Sequence, residues 1–340
     1  GNWKKNRMKK AAVIGNPIAH SRSPMIHNYW LKKYGIEGTY EAIKAEDEKD
    51  FEKVVARLVD EDYSGFNVTV PFKEKAYDLV DELVHLLYVP GLQTANTVVI
   101  QDKKLIGLNT DYYGFTQGFA IQHRENYKDP TGTEGRFDLA AMFEEIKNIV
   151  ILGAGGAARI IAFGLLHESD LIYNSNCTLT ILNRDENRAK DLCSDLKQSM
   201  QEIHEHNEIV KANERLVINH NSLNGFNQAI KNCDLLINCT TIGMQGGAEI
   251  PDFNFENAKS SMIFYDLVYT PLVTPLHIKA AEMGLVTMGG LGMLVNQAVP
   301  AFKVFYGAGR LGNGEREIYV PHLSFHVSSL EMARDPELWE

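Results

Sequence analysis

The sequence of 340 residues is poor in cysteine and has no long hydrophobic run. None of its four cysteines belongs to a CxxC pair or has a histidine at zinc-finger spacing, which argues against a disulfide framework or a structural zinc site. No apolar stretch approaches the roughly 20 residues that span a bilayer, and no secretory signal follows the basic N-terminus. We therefore expect a cytoplasmic protein with reduced thiols, no metal and no membrane partner.

Positively charged residues are also fewer than negatively charged ones. The chain has 34 Lys and Arg residues and 44 Asp and Glu residues, which gives a formal net charge of −10. This balance argues against nucleic-acid partners, and it requires that an anionic ligand be held by a local cluster of positive groups. Hydrophobic residues make up 44% of the chain and charged residues 23%, which excludes a mainly disordered protein. At roughly 150 residues per domain, the length predicts two domains.

Two blocks of alternating strand and helix signals predict an α/β fold with mostly parallel sheets. In the first block a strand at Ala11–Gly15 precedes a helix that begins at Ser23. Phe66–Val70 alternates with period two like a strand, and apolar runs on either side of Gln101–Lys104 predict a β-hairpin. Residues 121–142, between the blocks, are expected to be a surface excursion. The second block predicts strands at Ile149–Leu152, Leu179–Leu182, Leu235–Cys239 and Ile263–Val268.

A glycine-rich turn follows the first strand of the second block and precedes a segment with helical periodicity. It has the GxGxxG/A pattern and consists of Gly153, Ala154, Gly155, Gly156, Ala157 and Ala158. Gly153 permits the tight turn, Gly155 lets the backbone approach a pyrophosphate, and the free N–H groups of the helix N-terminus meet that negative charge. Such turns also join ordinary strands and helices, but the strand–turn–helix setting favours a dinucleotide site.

The charged segment after the next strand bears on the choice of cofactor. Folds that bind NAD usually place an acidic residue there for the ribose 2′-OH, whereas NADP-binding folds use arginine. Here Asn183 replaces the acid, and Arg184 and Arg188 follow, with Asp185 between them. The alternative interpretation of this segment is a solvated charged turn that opens a helix and binds no cofactor. Because Asp185 is expected to cap the next helix, we predict NADP as the cofactor, with NAD as a weaker alternative.

Two features of the first block are candidates for chemistry. Lys73 follows a predicted strand and Asp111 follows the hairpin, so the two could form a proton-transfer pair, although spacing alone favours a surface lysine and a helix-capping aspartate. Ser21 and Ser23 precede the first helix, where one could cap it or both could bind a carboxylate. None of the eleven histidines belongs to a recognisable motif.

Motifs in the same order along the chain resemble those of shikimate dehydrogenases over about residues 11–307. They are GNPIAHSRSP from Gly15, NVTVPFK from Asn67, ANTVV from Ala95, GLNTDYYG from Gly107, the glycine-rich turn, Asn183-Arg184, NCTTIGM from Asn238, DLVYTP from Asp266 and GMLVNQA from Gly292. The resemblance implies reversible NADPH-dependent reduction of 3-dehydroshikimate to shikimate, a step of aromatic amino acid biosynthesis, by a monomer or homodimer.

The resemblance also implies a domain organisation. A substrate-binding and catalytic α/β domain would occupy residues 8–119, and a Rossmann-like NADP-binding domain residues 120–289. Within residues 290–340, a C-terminal helix would return to the first domain and an extra tail would follow. The active site of such proteins is the cleft between the two domains.

Individual residues take roles from the same resemblance. Lys73 would be the acid/base residue, paired with Asp111. The substrate carboxylate would be bound by Ser21, Ser23 and Tyr269, and the ring hydroxyls by Asn67, Thr69, Asn96, Asp111 and Gln297. The cofactor would be bound by Gly153, Ala154, Gly155, Gly156 and Ala157, by Asn183, Arg184 and Arg188, and by Met293 beside the nicotinamide.

Two alternatives stay open. One is a quinate/shikimate dehydrogenase of the same fold that uses NAD, since quinate differs by a hydroxyl on a saturated ring and pocket shape decides between the two. The other is a non-catalytic regulatory protein that binds ligands on this fold. The presence of Lys73, Asp111 and the glycine-rich turn argues against the second alternative.

Overall fold

A computed structural model describes residues 8–85, 91–127, 139–167, 177–206 and 216–307, with residues 332, 335, 338 and 339; for residue 140 and residues 203–206 it describes the backbone alone. The chain divides into two compact units. Unit 1 comprises residues 1–88, 93–113 and 295–340, and unit 2 comprises residues 89–92 and 114–294. Both units are α/β, as predicted, whereas the domain limits expected from the sequence stay a prediction.

Unit 1 contains a six-stranded mixed sheet. Its strands are β1 (Lys9–Gly15), β2 (Gly38–Lys44), β3 (Gly65–Val68), β4 (Glu82–Leu83), β5 (Thr97–Gln101) and β6 (Lys104–Leu108). They lie in the order β2–β1–β3–β5–β6–β4. β1 is parallel to β2 and β3, and β4 is parallel to β6, whereas β5 is antiparallel to both β3 and β6. The β5–β6 pair is the predicted hairpin.

The strand predicted at Phe66–Val70 ends earlier, at Val68. The antiparallel pairing with β5 stops at Asn67, opposite Thr97, and the last pairing of β3 is that of Val68 with Ile14 of β1. Val70 is 65% exposed, whereas all four residues of β3 are buried, on both faces of the strand. The expected period-two pattern therefore does not mark a solvent face, because this strand is covered on both faces.

The helices of unit 1 are α1 (Ser23–Lys33), α2 (Glu48–Asp60) and α3 (Lys73–Leu79). α2 was not predicted from the sequence, yet it is stabilised by an ordinary N-cap and an apolar face. Asp47 caps it, because its Oδ1 accepts a hydrogen bond from the backbone N–H of Asp50 at 2.8 Å. One face is apolar and packs into the core through Phe51, Val54, Val55 and Leu58.

Unit 2 contains a six-stranded sheet in which every pairing is parallel. Its strands are β7 (Asn148–Leu152), β8 (Thr178–Asn183), β9 (Val217–Ser222), β10 (Leu235–Asn238), β11 (Ile263–Asp266) and β12 (Val286–Met288). The order β12–β11–β10–β7–β8–β9 is that of doubly wound dinucleotide-binding folds. The order reverses between β7 and β10, and ligands of such sheets bind at the carboxyl ends of the strands at this point.

The remaining helices are α4 (Asp111–Tyr127), α5 (Leu139–Phe143), α6 (Gly156–His167), α7 (Glu186–His206), α8 (Phe226–Ala229), α9 (Pro275–Glu282) and α10 (Leu291–Tyr306). Residues 121–127, placed in a surface excursion by the sequence analysis, instead form the last turns of α4. Residues 128–138 lie outside the described part of the chain. No described helix is both long enough and apolar enough to cross a membrane.

The C-terminal part of α10 belongs to unit 1, as predicted. The rings of Phe302 and Trp30 meet edge to face with centroids 5.4 Å apart. Nζ of Lys9 donates to the carbonyl oxygen of Gly307 at 2.6 Å, just beyond the end of the helix. Apolar packing and a cation at the helix C-terminus both stabilise this return.

Candidate active site

Lys73 and Asp111 form an ion pair in unit 1. The Nζ atom of Lys73 lies 2.7 Å from Oδ2 of Asp111, and 20% of the lysine side chain and 10% of the aspartate side chain are exposed. Partial burial strengthens the attraction, and the remaining exposure leaves the ammonium group accessible to a ligand. An ammonium group held in this way can give a proton to a bound oxygen atom or take one from it.

The fold fixes both partners because each is the first residue of a helix, Lys73 of α3 and Asp111 of α4. The carbonyl oxygen of Lys73 accepts a hydrogen bond from the backbone N–H of Ala95 at 3.0 Å, which ties the start of α3 to the chain before β5. Oδ1 of Asn109 accepts from the backbone N–H of Asp111 at 2.9 Å. The two side chains therefore meet, although their spacing in the sequence did not favour it.

Two buried asparagines beside the ion pair have most of their hydrogen-bonding groups engaged by the protein. Nδ2 of Asn96 donates to Oδ1 of Asp111 and to Oγ1 of Thr110, both at 2.9 Å. Its Oδ1 accepts from the Thr97 hydroxyl at 3.0 Å and from the backbone N–H of Thr110 at 2.9 Å. Nδ2 of Asn67 donates to the carbonyl oxygen of Asn96 at 3.2 Å and to Oγ1 of Thr97 at 3.0 Å. Asn96 could bind a ring hydroxyl only by exchanging one of these bonds.

The two predicted carboxylate-binding serines lie at the start of α1. Oγ of Ser21 accepts from the backbone N–H of Ser23 at 3.3 Å, so the Ser21 hydroxyl keeps its proton for another acceptor. Ser23 is the first residue of α1. Oη of Tyr40, in β2, donates to Oδ1 of Asn67 at 2.7 Å. The N-cap residue of α1 is Arg22, which makes no side-chain capping bond. Neither serine therefore serves as the simple N-cap that was the alternative expectation.

Tyr40 lies in β2 and is held from α1 on two sides. The side chain of Asn28 bonds both backbone groups of Tyr40, with Nδ2 to the carbonyl oxygen at 2.9 Å and the Tyr40 N–H to Oδ1 at 3.2 Å. The ring of His27 stacks on the Tyr40 ring at 4.0 Å. Burial raises the pKa of Tyr40 and lowers the pKa of His27 to about 3, so both rings are neutral.

Thr69 and Gln297 are also in unit 1. Thr69 follows β3, and its methyl group lies so close to Gly15 that any Cβ at residue 15 would collide with it. Gln297 lies on α10, where its Oε1 is 3.5 Å from the Thr110 hydroxyl. Hydrogen bonds thus connect Gln297 through Thr110 and Asn96 to the carboxylate of Asp111.

The glycine-rich turn of unit 2 has the geometry that its motif predicts. Gly153 has φ +109°, a conformation that side chains rarely allow, and its N–H donates to the carbonyl oxygen of Leu182 at 2.7 Å. A Cβ built on Gly155 or Gly156 meets no heavy atom within 4 Å, so protein packing does not require glycine there. Because these glycines have no side chains, the N-terminus of α6 stays open to a ligand. An open helix N-terminus suits the pyrophosphate of a cofactor.

In the segment after β8, the two acidic side chains contact groups other than the two arginines. Oδ1 of Asp185 accepts from the backbone N–H of Asn187 at 3.0 Å, which is the capping role expected of Asp185. Oε1 of Glu186 lies 3.2 Å from Nδ1 of His220. Arg184 and Arg188 are exposed, and their side chains make no ion pair or hydrogen bond with the described residues. Two unpaired guanidinium groups at this position fit a 2′-phosphate.

Two further predicted residues lie in unit 2. Met293 is half-buried in the first turn of α10, where its backbone packs so closely against α4 that a Cβ on Gly118 would lie 2.7 Å from the Met293 nitrogen. Tyr269 is half-buried in the segment that follows β11. Among the described residues, no group of three or more His, Cys, Asp or Glu side chains could hold a metal ion.

Tyr40, Thr97 and Thr110 belong to the site although no sequence pattern predicted it. Tyrosine and threonine are ordinary residues of strands, so their presence in β2 and β5 gives no signal of a polar role. Only the pairing of Thr97 with Asn67 across β5 and β3 shows that its hydroxyl lies between two amides.

Comparison with known proteins gives a consistent result. A sequence model of the shikimate dehydrogenase substrate-binding domain matches residues 13–98. The chain is 33% identical to the shikimate dehydrogenase (NADP(+)) of Brucella canis over 306 residues, which cover 88% of this chain and 90% of that relative.

Two solved structures extend the likeness to the fold. A crystal structure of a shikimate dehydrogenase in complex with NADP+ superposes with a TM-score of 0.67 and 29% identity, over 88% of this chain and 91% of that one. The shikimate 5-dehydrogenase of Thermus thermophilus, in complex with NADP(H) and shikimate, gives a TM-score of 0.62 and 26% identity, over 88% of this chain and 93% of that one.

Proposed function

The chain belongs to the shikimate dehydrogenase family, and from this premise we propose how its own residues carry out the reaction. It is an oxidoreductase that acts on a CH–OH group, and it interconverts 3-dehydroshikimate and shikimate with NADP as the cofactor. We assign substrate binding to unit 1, which contains the residues matched by the substrate-binding domain, and NADP binding to unit 2.

Lys73 is the acid/base residue of this proposal. Bound NADPH supplies the hydride that reduces the carbonyl carbon. The Lys73 ammonium group gives a proton to the carbonyl oxygen as negative charge develops on it, and in the reverse direction the amine takes the hydroxyl proton. The observation that carries the assignment is the 2.7 Å contact between Nζ of Lys73 and Oδ2 of Asp111, which fixes the ammonium group at the carboxyl end of β3.

The substrate is recognised by further side chains, most of them in unit 1. Ser21 and Ser23, aided by Tyr269, bind the carboxylate, for which the spare Ser21 proton and the N-terminus of α1 are suited. Ring hydroxyls contact Thr69, Gln297 and Asp111. Asn67 and Asn96 contribute to the same recognition by exchanging bonds that they now make within the protein.

Unit 2 binds NADP through the turn that runs from Gly153, Ala154, Gly155 and Gly156 to Ala157. The clear approach to the N-terminus of α6 suits the pyrophosphate. Asn183, Arg184 and Arg188 bind the adenine ribose and its 2′-phosphate, and Met293 packs beside the nicotinamide. Capping by Asp185 supports this assignment, because it directs that carboxylate to the helix.

The proposal is tested by following the absorbance of the reduced cofactor with shikimate and with quinate, each paired with NADP and with NAD. We expect the highest kcat/KM for shikimate with NADP. A higher value for quinate with NAD would overturn the substrate and cofactor assignment. Binding of shikimate without turnover under any pairing would instead indicate a regulatory binding protein.

The alternative of a quinate-preferring, NAD-using enzyme is not favoured. Relatives from Brucella canis, Bartonella tribocorum and Rhodospirillum rubrum, at 31–33% identity, all carry the name shikimate dehydrogenase (NADP(+)). The two arginines after β8 agree with NADP on physical grounds.

The compartment and the assembly are part of the same proposal. All four cysteines are free thiols, three of them buried, as is usual for a protein of a reducing compartment. We therefore assign the enzyme to the cytoplasm, as a monomer or homodimer. Fractionation of cells and light scattering of the purified protein test these two assignments.

A further inference from the structure

Four hydrogen bonds of the same direction run through the interior of unit 1 and end on Asp111. Oη of Tyr40 donates to Oδ1 of Asn67 at 2.7 Å, and Nδ2 of Asn67 donates to Oγ1 of Thr97 at 3.0 Å. Oγ1 of Thr97 donates to Oδ1 of Asn96 at 3.0 Å, and Nδ2 of Asn96 donates to Oδ1 of Asp111 at 2.9 Å. We call these five side chains the buried hydrogen-bond chain.

The direction of this chain follows from its end. A carboxylate paired with Lys73 can only accept hydrogen bonds, so Asn96 must turn its NH2 group toward Asp111. The carbonyl oxygen of Asn96 then faces Thr97, which must donate its single proton there. With that proton committed, Oγ1 of Thr97 can only accept from Asn67, so it faces the NH2 group of Asn67 as well. One hydroxyl thus bonds both amides, in addition to the Thr110 N–H that Asn96 accepts and the Asn96 carbonyl oxygen that accepts from Asn67.

Burial makes the arrangement strict. Thr97 is 0% exposed and Asn96 is 3% exposed, so water does not offer replacement partners. The strand pairing also fixes the hydroxyl in place, because Thr97 of β5 lies opposite Asn67 on one side and opposite Leu108 on the other. A buried polar group that loses its partner is costly, and aligned hydrogen bonds strengthen one another.

We propose that Thr97 is a positioning residue of the reaction: its hydroxyl orients the amides of Asn67 and Asn96 and so holds the carboxylate of Asp111 against Lys73. Thr97 touches neither substrate nor cofactor in this role. The inference rests on the proposed function, since it assigns to Lys73 and Asp111 the chemistry that Thr97 supports. Without the hydroxyl, Oδ1 of Asn96 keeps only the backbone N–H of Thr110, and Nδ2 of Asn67 keeps only the carbonyl oxygen of Asn96. Both amides are then held less tightly, and so is the carboxylate of Asp111 that Asn96 contacts.

The test compares variants that separate the hydroxyl from the volume of the side chain. Thr97→Val keeps the branched shape and removes the hydroxyl, whereas Thr97→Ser keeps the hydroxyl and removes the methyl group. The matched control is Thr178→Val, because Thr178 is also a strand residue whose hydroxyl donates to an asparagine oxygen, Oδ1 of Asn148, at 2.7 Å. Thr178 lies at the amino end of β8, away from the glycine-rich turn.

We expect Thr97→Val to lower kcat by roughly 10- to 100-fold, the cost of misplacing a catalytic group by about an ångström. The dissociation constant for NADP should not change. Thr97→Ser should stay within about threefold of wild-type kcat, since its hydroxyl can make both bonds. Thr178→Val should have wild-type kcat.

Wild-type kcat in Thr97→Val would overturn the inference, and so would an equal loss in Thr97→Ser, which would indicate packing instead of hydrogen bonding. If Thr97→Val does not fold, Thr97→Ala replaces it, because Ala and Ser both lack the methyl group and differ in the hydroxyl. Equal kcat of the Ala and Ser variants would then overturn it. Absence of turnover in the wild type would instead overturn the proposed function.

Discussion

Each unit contains a buried aspartate that accepts a hydrogen bond from an asparagine amide, but only one of them is paired with a lysine. In unit 1, Nδ2 of Asn96 donates to Oδ1 of Asp111 at 2.9 Å, and Nζ of Lys73 lies 2.7 Å from the other oxygen. In unit 2, Nδ2 of Asn238 donates to Oδ1 of Asp266 at 3.0 Å, and the other oxygen accepts from a hydroxyl group.

The surroundings give the two carboxylates different uses. Asp266 is fully buried, and it ties the end of β11 to the segment before α9 through Thr274, which donates to Oδ2 at 2.7 Å. Asp111 holds a cation that stays accessible to ligands. The same Asn–Asp contact thus has a structural role at Asp266, where the second carboxylate oxygen accepts from a neutral hydroxyl. It has a chemical role at Asp111, where the second oxygen contacts an accessible ammonium group.

The largest expected effect is on the rate, from removal of the cation. Lys73→Ala should lower kcat by roughly 10²- to 10⁴-fold, the usual cost of a lost acid/base group, and leave the affinity for NADP unchanged. Lys75→Ala is the matched control, because Lys75 lies on the same helix and pairs with Glu52 on the surface. Steady-state kinetics and cofactor titration measure both. Turnover close to that of the wild type in Lys73→Ala would show that Lys73 is not the acid/base residue.

The second prediction concerns the structural carboxylate. Asp266→Asn should lower the free energy of unfolding by about 1–3 kcal/mol, because one buried acceptor is lost, and should leave kcat of the folded enzyme near the wild-type value. Asp111→Asn should do the reverse, with a large loss of kcat and a smaller change in Tm. Thermal unfolding and kinetics on both variants test the contrast, which fails if the two variants behave alike.

The pH dependence of that stability provides an independent check. Burial raises the pKa of Asp266 above its ordinary value of 3.8, so the folded protein holds this proton more tightly than the unfolded chain does. The contribution of Asp266 to stability is therefore complete below the unfolded pKa and declines as the pH rises through the folded pKa. The stability difference between the wild type and Asp266→Asn should shrink with rising pH in this window. A difference that grows with pH would contradict it.

Substrate binding in unit 1 should respond more weakly than catalysis. Ser21→Ala and Ser23→Ala should each raise KM for shikimate by roughly tenfold with little change in kcat, because a hydrogen bond to a charged group contributes about 1.5 kcal/mol or more in ground and transition states alike. The dissociation constant for NADP should stay constant. Variants that unfold more easily but keep wild-type KM would show that the two serines only support α1.

Local patterns predicted much of the fold and the glycine-rich turn. The strand before Gly153 and the helix after it are local features, so the sequence predicted both. The ends of β3, β10 and β11 were placed too late, because a strand ends where its neighbours stop pairing, which is not a local property. The strands β2 and β9 were not predicted, since both have exposed positions that interrupt their apolar pattern.

The candidate site was predicted only as far as the family resemblance reached. Spacing did not show that Lys73 meets Asp111, because the contact joins the first residues of two helices separated by a hairpin. Tyr40 and Thr97 were missed because their roles depend on which side chain lies opposite on the next strand. Polar contacts of this kind are set by register, and register emerges from the assembled sheet.

The smallest expected effect is on cofactor choice in unit 2. Arg184→Ala should raise KM for NADP several-fold, by about 1 kcal/mol for an exposed charge-assisted contact, and should change KM for NAD much less. The reason is that the acids beside Arg184 are engaged elsewhere: Asp185 bonds the backbone of Asn187, and Glu186 pairs with His220. The guanidinium group is therefore the feature at this turn that distinguishes a phosphate from a hydroxyl.

The serine variants of unit 1 serve as the control for this prediction. They should change KM for shikimate and not KM for NADP, whereas Arg184→Ala should change KM for NADP and not KM for shikimate. Steady-state kinetics in which the concentrations of shikimate and cofactor are varied separately therefore distinguish the two effects. Equal effects of Arg184→Ala on NADP and NAD, or a higher wild-type kcat/KM with NAD, would show that the 2′-phosphate is not bound at this turn.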